Sequence, residues 1–446
     1  SITDASGFGS AAAGTPNSLI KTGAGTLALL GSNTYSGGTT IDAGTLQINS
    51  NTSLGAIGSL ATINAGTLEA VANIDTTRSF ALGSSSSTIL VDSGLTYTVG
   101  GVISETSPNT GALNATGGGT LVLSGTNTYS LGTNVSNGTV SVSSDGNLGD
   151  ASGGVTLSSG GTLAVTTGFS SDRDFTVGSG GGALNVTSGQ TFTASGAGTW
   201  SGNSSGGTLT LSGGGTVQLN TGSASYGSTG SPLSISVAAG TLSGTATVIG
   251  NITINSGGTV SPATSTGAPA TLTFEGSGAG TATLNSGGNF AMNLADASGG
   301  STLTSLGAGA GSNWNLLAVS SLADNLSSIA LFNLTVSGSL NNFNPAQAYQ
   351  WDFITSAGGL NGVTANEFNL INGLPTEPGT FSIAVGNTLP GGAGYVALDY
   401  SPSAVPEPGS MALAGLAALG MTGLGWRQRR RRNPPDNQQR ADTAAS

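Results

Sequence analysis

Residues 23–48 read GAGTLALLGSNTYSGGTTIDAGTLQI and residues 117–142 read GGGTLVLSGTNTYSLGTNVSNGTVSV; laid over one another without a gap, 14 of the 26 positions are identical. Composition bias alone does not place Asn-Thr-Tyr-Ser twice at one register. The match continues in the same register, where Leu54-Gly55 falls on Leu148-Gly149, and then after a one-residue slip, where Arg78, Phe80 and Gly83 fall on Arg173, Phe175 and Gly178. A unit of about 95 residues therefore occurs twice, with a degraded third copy opening at Gly207-Thr208-Leu209-Thr210-Leu211.

A shorter beat runs inside this unit. Gly-Thr-Leu or Gly-Thr-Val occurs at Gly25, Gly44, Gly66, Gly119, Gly138, Gly161, Gly207, Gly215, Gly240 and Gly258, many of them about 18–25 residues apart. The glycine turns the chain, and Thr-Leu-x-Leu then alternates an outward with an inward side chain. One such coil cannot bury its apolar column alone, but stacked coils can. The expected fold is all-β, a parallel β-solenoid from about residue 15 to 290. Asn33, Asn49, Asn64, Asn127, Asn185 and Asn220 fall at turns and between strands, where amides can satisfy corner backbone or stack between coils.

Composition agrees with this and narrows the chemistry. Gly supplies 77 of 446 residues, and only 7 % are charged, so turns are plentiful and salt-bridged helices nearly excluded. The alternation of Leu, Val and Ile with Thr and Ser argues against disorder. With no Cys and no His, thiol catalysis, disulfides and the usual general base are absent. The net charge of −11 is uneven: residues 1–404 hold Lys21, Arg78 and Arg173 against seventeen acids, whereas residues 405–446 hold six Arg against three. The acidic body repels nucleic acid and anionic lipid. The chain begins at Ser1, so no export leader is visible in it.

Near residue 290 the beat stops and aromatics become dense, including Trp314, Tyr349, Trp351 and Phe353. We expect residues 1–289 to form the solenoid, with units near 23–116, 117–206 and 207–289. Residues 290–404 would then form a β-rich cap over its last apolar coil. A separate carbohydrate-binding β-sandwich is the alternative.

The tail has its own logic. Val405-Pro406-Glu407-Pro408 precedes eighteen uncharged residues, 409–426, and then Arg427, Arg429, Arg430, Arg431 and Arg432. A helix of that length spans roughly 27 Å, just under the thickness of the hydrocarbon core. The arginines would hold its end in the cytoplasm with the body outside. A polar segment, 433–446, follows.

This tripartite tail closely resembles the PEP-CTERM sorting signal of Gram-negative, exopolysaccharide-producing bacteria. The resemblance implies that an exosortase, a membrane-embedded transpeptidase-like enzyme, recognises Pro406, Glu407 and Pro408 and removes the helix and basic end. That family stops a few residues after its arginines, whereas this chain continues to Ser446. The repeat, through Lys21 to Leu27, Gly31 to Thr39 and Ala43 to Leu46, is similar to the autotransporter-associated β-strand repeat. Its resemblance implies a right-handed parallel β-helix of passenger type. Autotransporters carry a C-terminal translocating β-barrel, for which the sorting tail would substitute.

Two local clusters merit chemical scrutiny. Asp172-Arg173-Asp174 places two carboxylates on one side of an extended segment, the spacing a β-helix glycosidase or lyase could use. The first repeat keeps Arg78 there without the flanking acids, which argues against a catalytic pair. Asp145, Asn147 and Asp150 have the oxygen-ligand spacing of a structural calcium in a Gly-rich turn but lack the terminal Glu of an EF-hand loop. Neither catalytic nor metal-ligating residues are assigned, and no cofactor. The expected role is that of an exported, non-enzymatic, adhesin-like or matrix protein. Its partners would be an exosortase, the inner membrane through its tail and extracellular polysaccharide, but not nucleic acid. The alternative is a carbohydrate-active β-helix.

Overall fold

The computed structural model describes residues 16–403, except 196–197, 203–206, 221–224, 265–267, 277–279, 296–313, 325–330, 339–340, 342, 361, 375–377 and 388–392. The described residues form short strands and three single 3₁₀ turns, with no α-helix. The expected helix at 409–426 lies outside them, and among the described residues no helix is long and apolar enough to cross a membrane.

The strands stack as a three-sided parallel solenoid. Within one coil the chain passes through Thr88–Val91, Thr96–Val99 and Ile103–Glu105, which lie in a 16-stranded, an 11-stranded and a 5-stranded sheet. Further along, Val155–Ser158, Gly161–Val165 and Phe169–Ser171 repeat the circuit, but the third strand now opens an 8-stranded sheet. The third side is thus built from two sheets with a break between them.

Alternation within each strand builds the core. Thr45–Ile48, Thr67–Ala70 and Thr88–Val91 pair in parallel, aligning Leu46, Leu68 and Ile89 in one fully buried column while Thr45, Thr67 and Thr88 face outward. Burying each Leu or Ile contributes about 1.5–3 kcal/mol before chain entropy is counted. Aromatic residues join the same columns: Phe175, Trp200 and Tyr226 occupy successive coils, with Phe175 and Trp200 stacked at 4.4 Å between ring centroids.

All ten Gly-Thr-Leu/Val sites sit at strand starts, but not on one side. Those at Gly25, Gly44 and Gly66 feed the 16-stranded sheet, those at Gly119, Gly138, Gly161 and Gly207 the 11-stranded sheet, and those at Gly215, Gly240 and Gly258 the 8-stranded sheet. The reason is that the long repeat is not a whole number of coils. Thr26–Leu29 lies in the 16-stranded sheet, whereas its repeat equivalent, Thr120–Leu123, lies in the 11-stranded one. The second copy is therefore set one side further round the solenoid.

Parallel pairing continues past residue 290, through Asn289–Leu294, Phe332–Gly338 and Phe368–Asn372 on the third side. In the 16-stranded sheet it runs to Tyr349–Ser356, where Gly394–Pro402 joins antiparallel and Gly379–Gly386 pairs antiparallel beyond it. The aromatics of this region are interior: Trp314, Trp351, Phe353 and Tyr400 are essentially inaccessible, and Tyr349 and Trp351 stack with nearly parallel rings at 5.3 Å.

Candidate functional site

The residues shared by the two repeats form a module where each copy interrupts one side of the solenoid with a 3₁₀ turn, Asn51–Leu54 in the first and Asp145–Leu148 in the second. The invariant Asn-Thr-Tyr-Ser lies one coil earlier and fastens that turn. Asn33 Nδ2 donates to Ser53 O at 2.8 Å, and Asn127 Nδ2 to Asn147 O at 2.6 Å. Tyr35 and Tyr129, both fully buried, hydrogen-bond at 2.7 Å to Thr39 and Thr133, whose hydroxyls donate onward to Leu54 O and Leu148 O. The turn leaves through Gly55 or Gly149 at φ of 81° and 91°, where an added Cβ would lie 2.5 Å from Tyr35 O or Tyr129 O.

An arginine one coil later locks the same turn from the other side. Arg78 and Arg173 are almost wholly buried. Arg78 donates to the carbonyls of Asn51, Gly55 and Ser59 at 3.2, 3.0 and 2.6 Å, and its Nε reaches Asn51 Oδ1 at 3.1 Å. Arg173 donates to the carbonyls of Asp145, Gly149 and Gly153 at 3.1, 2.7 and 2.8 Å and also to that of Asp150, while its Nε pairs with Asp145 Oδ1 at 2.9 Å. Five donors in a rigid fork suit a turn whose carbonyls have no strand partner. Burial pulls the Arg78 guanidinium below its ordinary value, and the Tyr97 and Tyr35 phenols offset part of this.

This module absorbs both clusters singled out from the sequence. Asp172 and Asp174 do face outward together, but they sit at the corner between Phe169–Ser171 and Phe175–Val177 rather than within a strand. Asp174 Oδ1 accepts the backbone N–H of Thr199 at 2.6 Å, so that carboxylate holds the next coil. Of the calcium-spaced trio, Asp145 pairs with Arg173, Asn147 Oδ1 accepts the N–H groups of Ser143 and Ser144, and Asp150 Oδ1 accepts from Ser152. Each is occupied by a different local task. Pro406, Glu407, Pro408 and Arg427, Arg429, Arg430, Arg431 and Arg432 lie outside the described residues.

A feature the sequence did not announce lies on the outer face of the 8-stranded sheet. Ser170, Thr193, Gln218 and Ser243 align across consecutive strands, with Thr191 and Thr216 in the next row, and they floor a groove of about 570 Å³. Ala263 and Thr264 wall it, on a loop closed by Thr264 N–H to Ala268 O at 2.9 Å and by the Ala263–Pro269 bridge. Gln218 is 9 % exposed and Ser243 6 %, although both occupy outward-facing strand positions.

Comparison with known proteins supports the reading of both repeat and tail. The model of the passenger-associated-transport-repeat matches residues 19–48 and 113–142, the two fastened segments described above, and that of the PEP-CTERM protein-sorting motif matches residues 404–431. The chain carries autotransporter passenger repeats and a PEP-CTERM sorting motif. It is similar to the Adhesin BmaC autotransporter of Brucella suis biovar 1 (strain 1330), at 37 % identity over 125 residues, which is 28 % of this chain and 4 % of that relative. The chain thus spans a small fraction of the length of the relative it matches. No solved structure matches. The sorting motif is of the kind an exosortase recognises and, with the passenger repeats, marks an exported, cell-surface protein.

Proposed function

We propose that this chain is a rigid, adhesin-like spacer of the bacterial surface or extracellular matrix, exported, held briefly in the inner membrane by its tail and then released by an exosortase. The observation that carries this reading is the sorting motif at 404–431 behind a passenger-repeat solenoid. In this reading residues 1–289 are a right-handed β-helix, residues 290–404 close its far end, and helix 409–426 with Arg427 to Arg432 is the transient anchor. The likeness to an autotransporter adhesin supports surface contact rather than catalysis. Engagement of Arg173, Asp174 and Asp145 in holding coils together supports the same view.

Intact-mass analysis of the protein recovered from its native envelope and medium tests the sorting. The expected C-terminus lies upstream of Arg427. A protein still carrying Arg427 to Ser446 would overturn processing and leave a permanent anchor.

A further inference from the structure

We propose that the strand Gly379–Gly386 is a self-association edge, through which two copies of this chain pair antiparallel about a two-fold axis. This strand ends the 16-stranded sheet: on one side it pairs with Gly394–Pro402, and on the other with no described strand. Its 8 residues, GTFSIAVG, include no charge and no proline. The other strands that end a sheet among the described residues run only three to five residues, and several hold a charge, such as Lys21, Asp75 and Glu105. Short length and charge are the usual guards of an exposed edge, and this edge has neither.

The side chains select what covers it. Across the sheet Trp351 lies opposite Leu398 and Leu398 opposite Ile383, while Tyr349 lies opposite Tyr400 and Tyr400 opposite Phe381. The inner members of both rows are buried, but Phe381, Ile383 and Val385 are only half-buried, so the rows stop unfinished at the edge. A strand that finishes them must present apolar residues at every second position. A second copy does so. About a two-fold axis at Ile383, that residue faces its own equivalent and Phe381 faces Val385 of the other copy, which keeps every apolar side chain on one sheet face. The continuation of the same chain does not. Ser403 N–H donates to Pro378 O, beside the start of the strand, and the next residues read AVPEPGS, whose two prolines lack the N–H groups a ladder needs.

Such a strand pair is a small interface between two acidic bodies that repel one another, so dissociation in the micromolar range is expected. Sedimentation equilibrium of the purified full-length chain in density-matched detergent tests it. The chain should pass from monomer to dimer with rising concentration and stop there. Ile383→Lys sets two like charges opposite each other and should weaken dimerisation at least tenfold. Because the chain has no cysteine, Ile383→Cys reads the register even if Ile383→Lys fails to fold. Under mild oxidation it should give a disulfide-linked dimer at least tenfold faster than Ser382→Cys, whose equivalents lie two residues out of step across the pair. A monomer up to millimolar concentration would overturn the proposal. So would growth beyond the dimer, which would mean that this edge meets another surface such as Thr26–Leu29. Unchanged dimerisation in a folded Ile383→Lys would place the contact in the tail and overturn it too, as would equal oxidation of the two cysteine variants.

Discussion

At Arg78 the guanidinium Nε meets the amide oxygen of Asn51, whereas at Arg173 the equivalent nitrogen meets the carboxylate of Asp145. The two copies are thus a natural comparison of one buried arginine with a neutral and with an anionic partner. Hydrogen bonds to charged groups contribute about 1.5–3 kcal/mol against about 0.5–1.5 for neutral ones. Asp145→Asn should therefore cost about 1 kcal/mol, not the 3–5 kcal/mol of a wholly abandoned buried charge, because Arg78 already tolerates that partner. Asn51→Asp should raise stability by a similar amount. Chemical denaturation of both variants checks this, and a loss well above 2 kcal/mol for Asp145→Asn would mean the carbonyl cage is not the main partner. Gly149→Ala is a harsher change. At φ of 91° with a Cβ 2.5 Å from Tyr129 O, it combines a left-handed penalty of about 1–2 kcal/mol with a backbone clash. More than 2 kcal/mol of lost stability is expected, whereas Gly160→Ala, also at positive φ but in open space, should lose only the conformational part.

Among the elements, the antiparallel strand Gly394–Pro402 carries an unusual load. Asp399 lies opposite Gln350, its Oδ1 is buried without a hydrogen-bond partner, and burial, with the nearby Asp352 charge, pushes its carboxyl up to about 6. Burial raises Asp352 as well, against a hydrogen bond from Gln350. An unfolded Asp titrates near 3.9, so between about pH 4 and 6 the folded chain binds more protons than the unfolded one, and stability falls as pH rises through that window. Thermal unfolding followed by the buried tryptophans should show a higher midpoint at pH 5 than at pH 7.5. Asp399→Asn should flatten the slope and raise the midpoint at pH 7.5; the same slope in the variant would place the effect elsewhere. How much of this was legible beforehand differs by element. Gly-Thr-Leu marked strand starts because alternation and a turning glycine are local properties. Which side of the solenoid each strand joins was not legible, since that depends on residues accumulated over several coils. In sequence Arg173 stood out only as the residue between two aspartates. Its burial follows from a 3₁₀ turn one coil earlier whose carbonyls lack strand partners, and nothing beside Arg173 in sequence announces this. Gln218 was hidden for the same kind of reason: the groove it shares with Ala263 and Thr264 joins residues more than forty positions apart in sequence.

For the molecule as a whole, stability should be close to a sum of coil and interface contributions, because each coil pairs only with its neighbours. That makes the solenoid editable in whole coils and intolerant of anything else. Thr216–Leu219, Gly240–Gly244 and Gly258–Ser261 pair in succession, with Thr241 opposite Thr259 and Leu242 opposite Val260. Removing Thr241–Gly258, so that Gly240 is followed by Thr259, deletes one strand from each of the three sides. It brings Val217 opposite Val260 and restores every inward column. Removing Thr241–Gly257 leaves Gly258 in the place of Thr241 and shifts the junction by one residue. Val260 and its inward companions would then face solvent and Thr259 the core. The first deletion should melt cooperatively within a few degrees of the parent with circular dichroism still that of β-structure. The second should unfold at least from the junction to the C-terminal hairpin and become protease-sensitive there. Equal stability of the two would mean that the inward columns do not fix the register, and the stacked-coil account of this chain would fail with them.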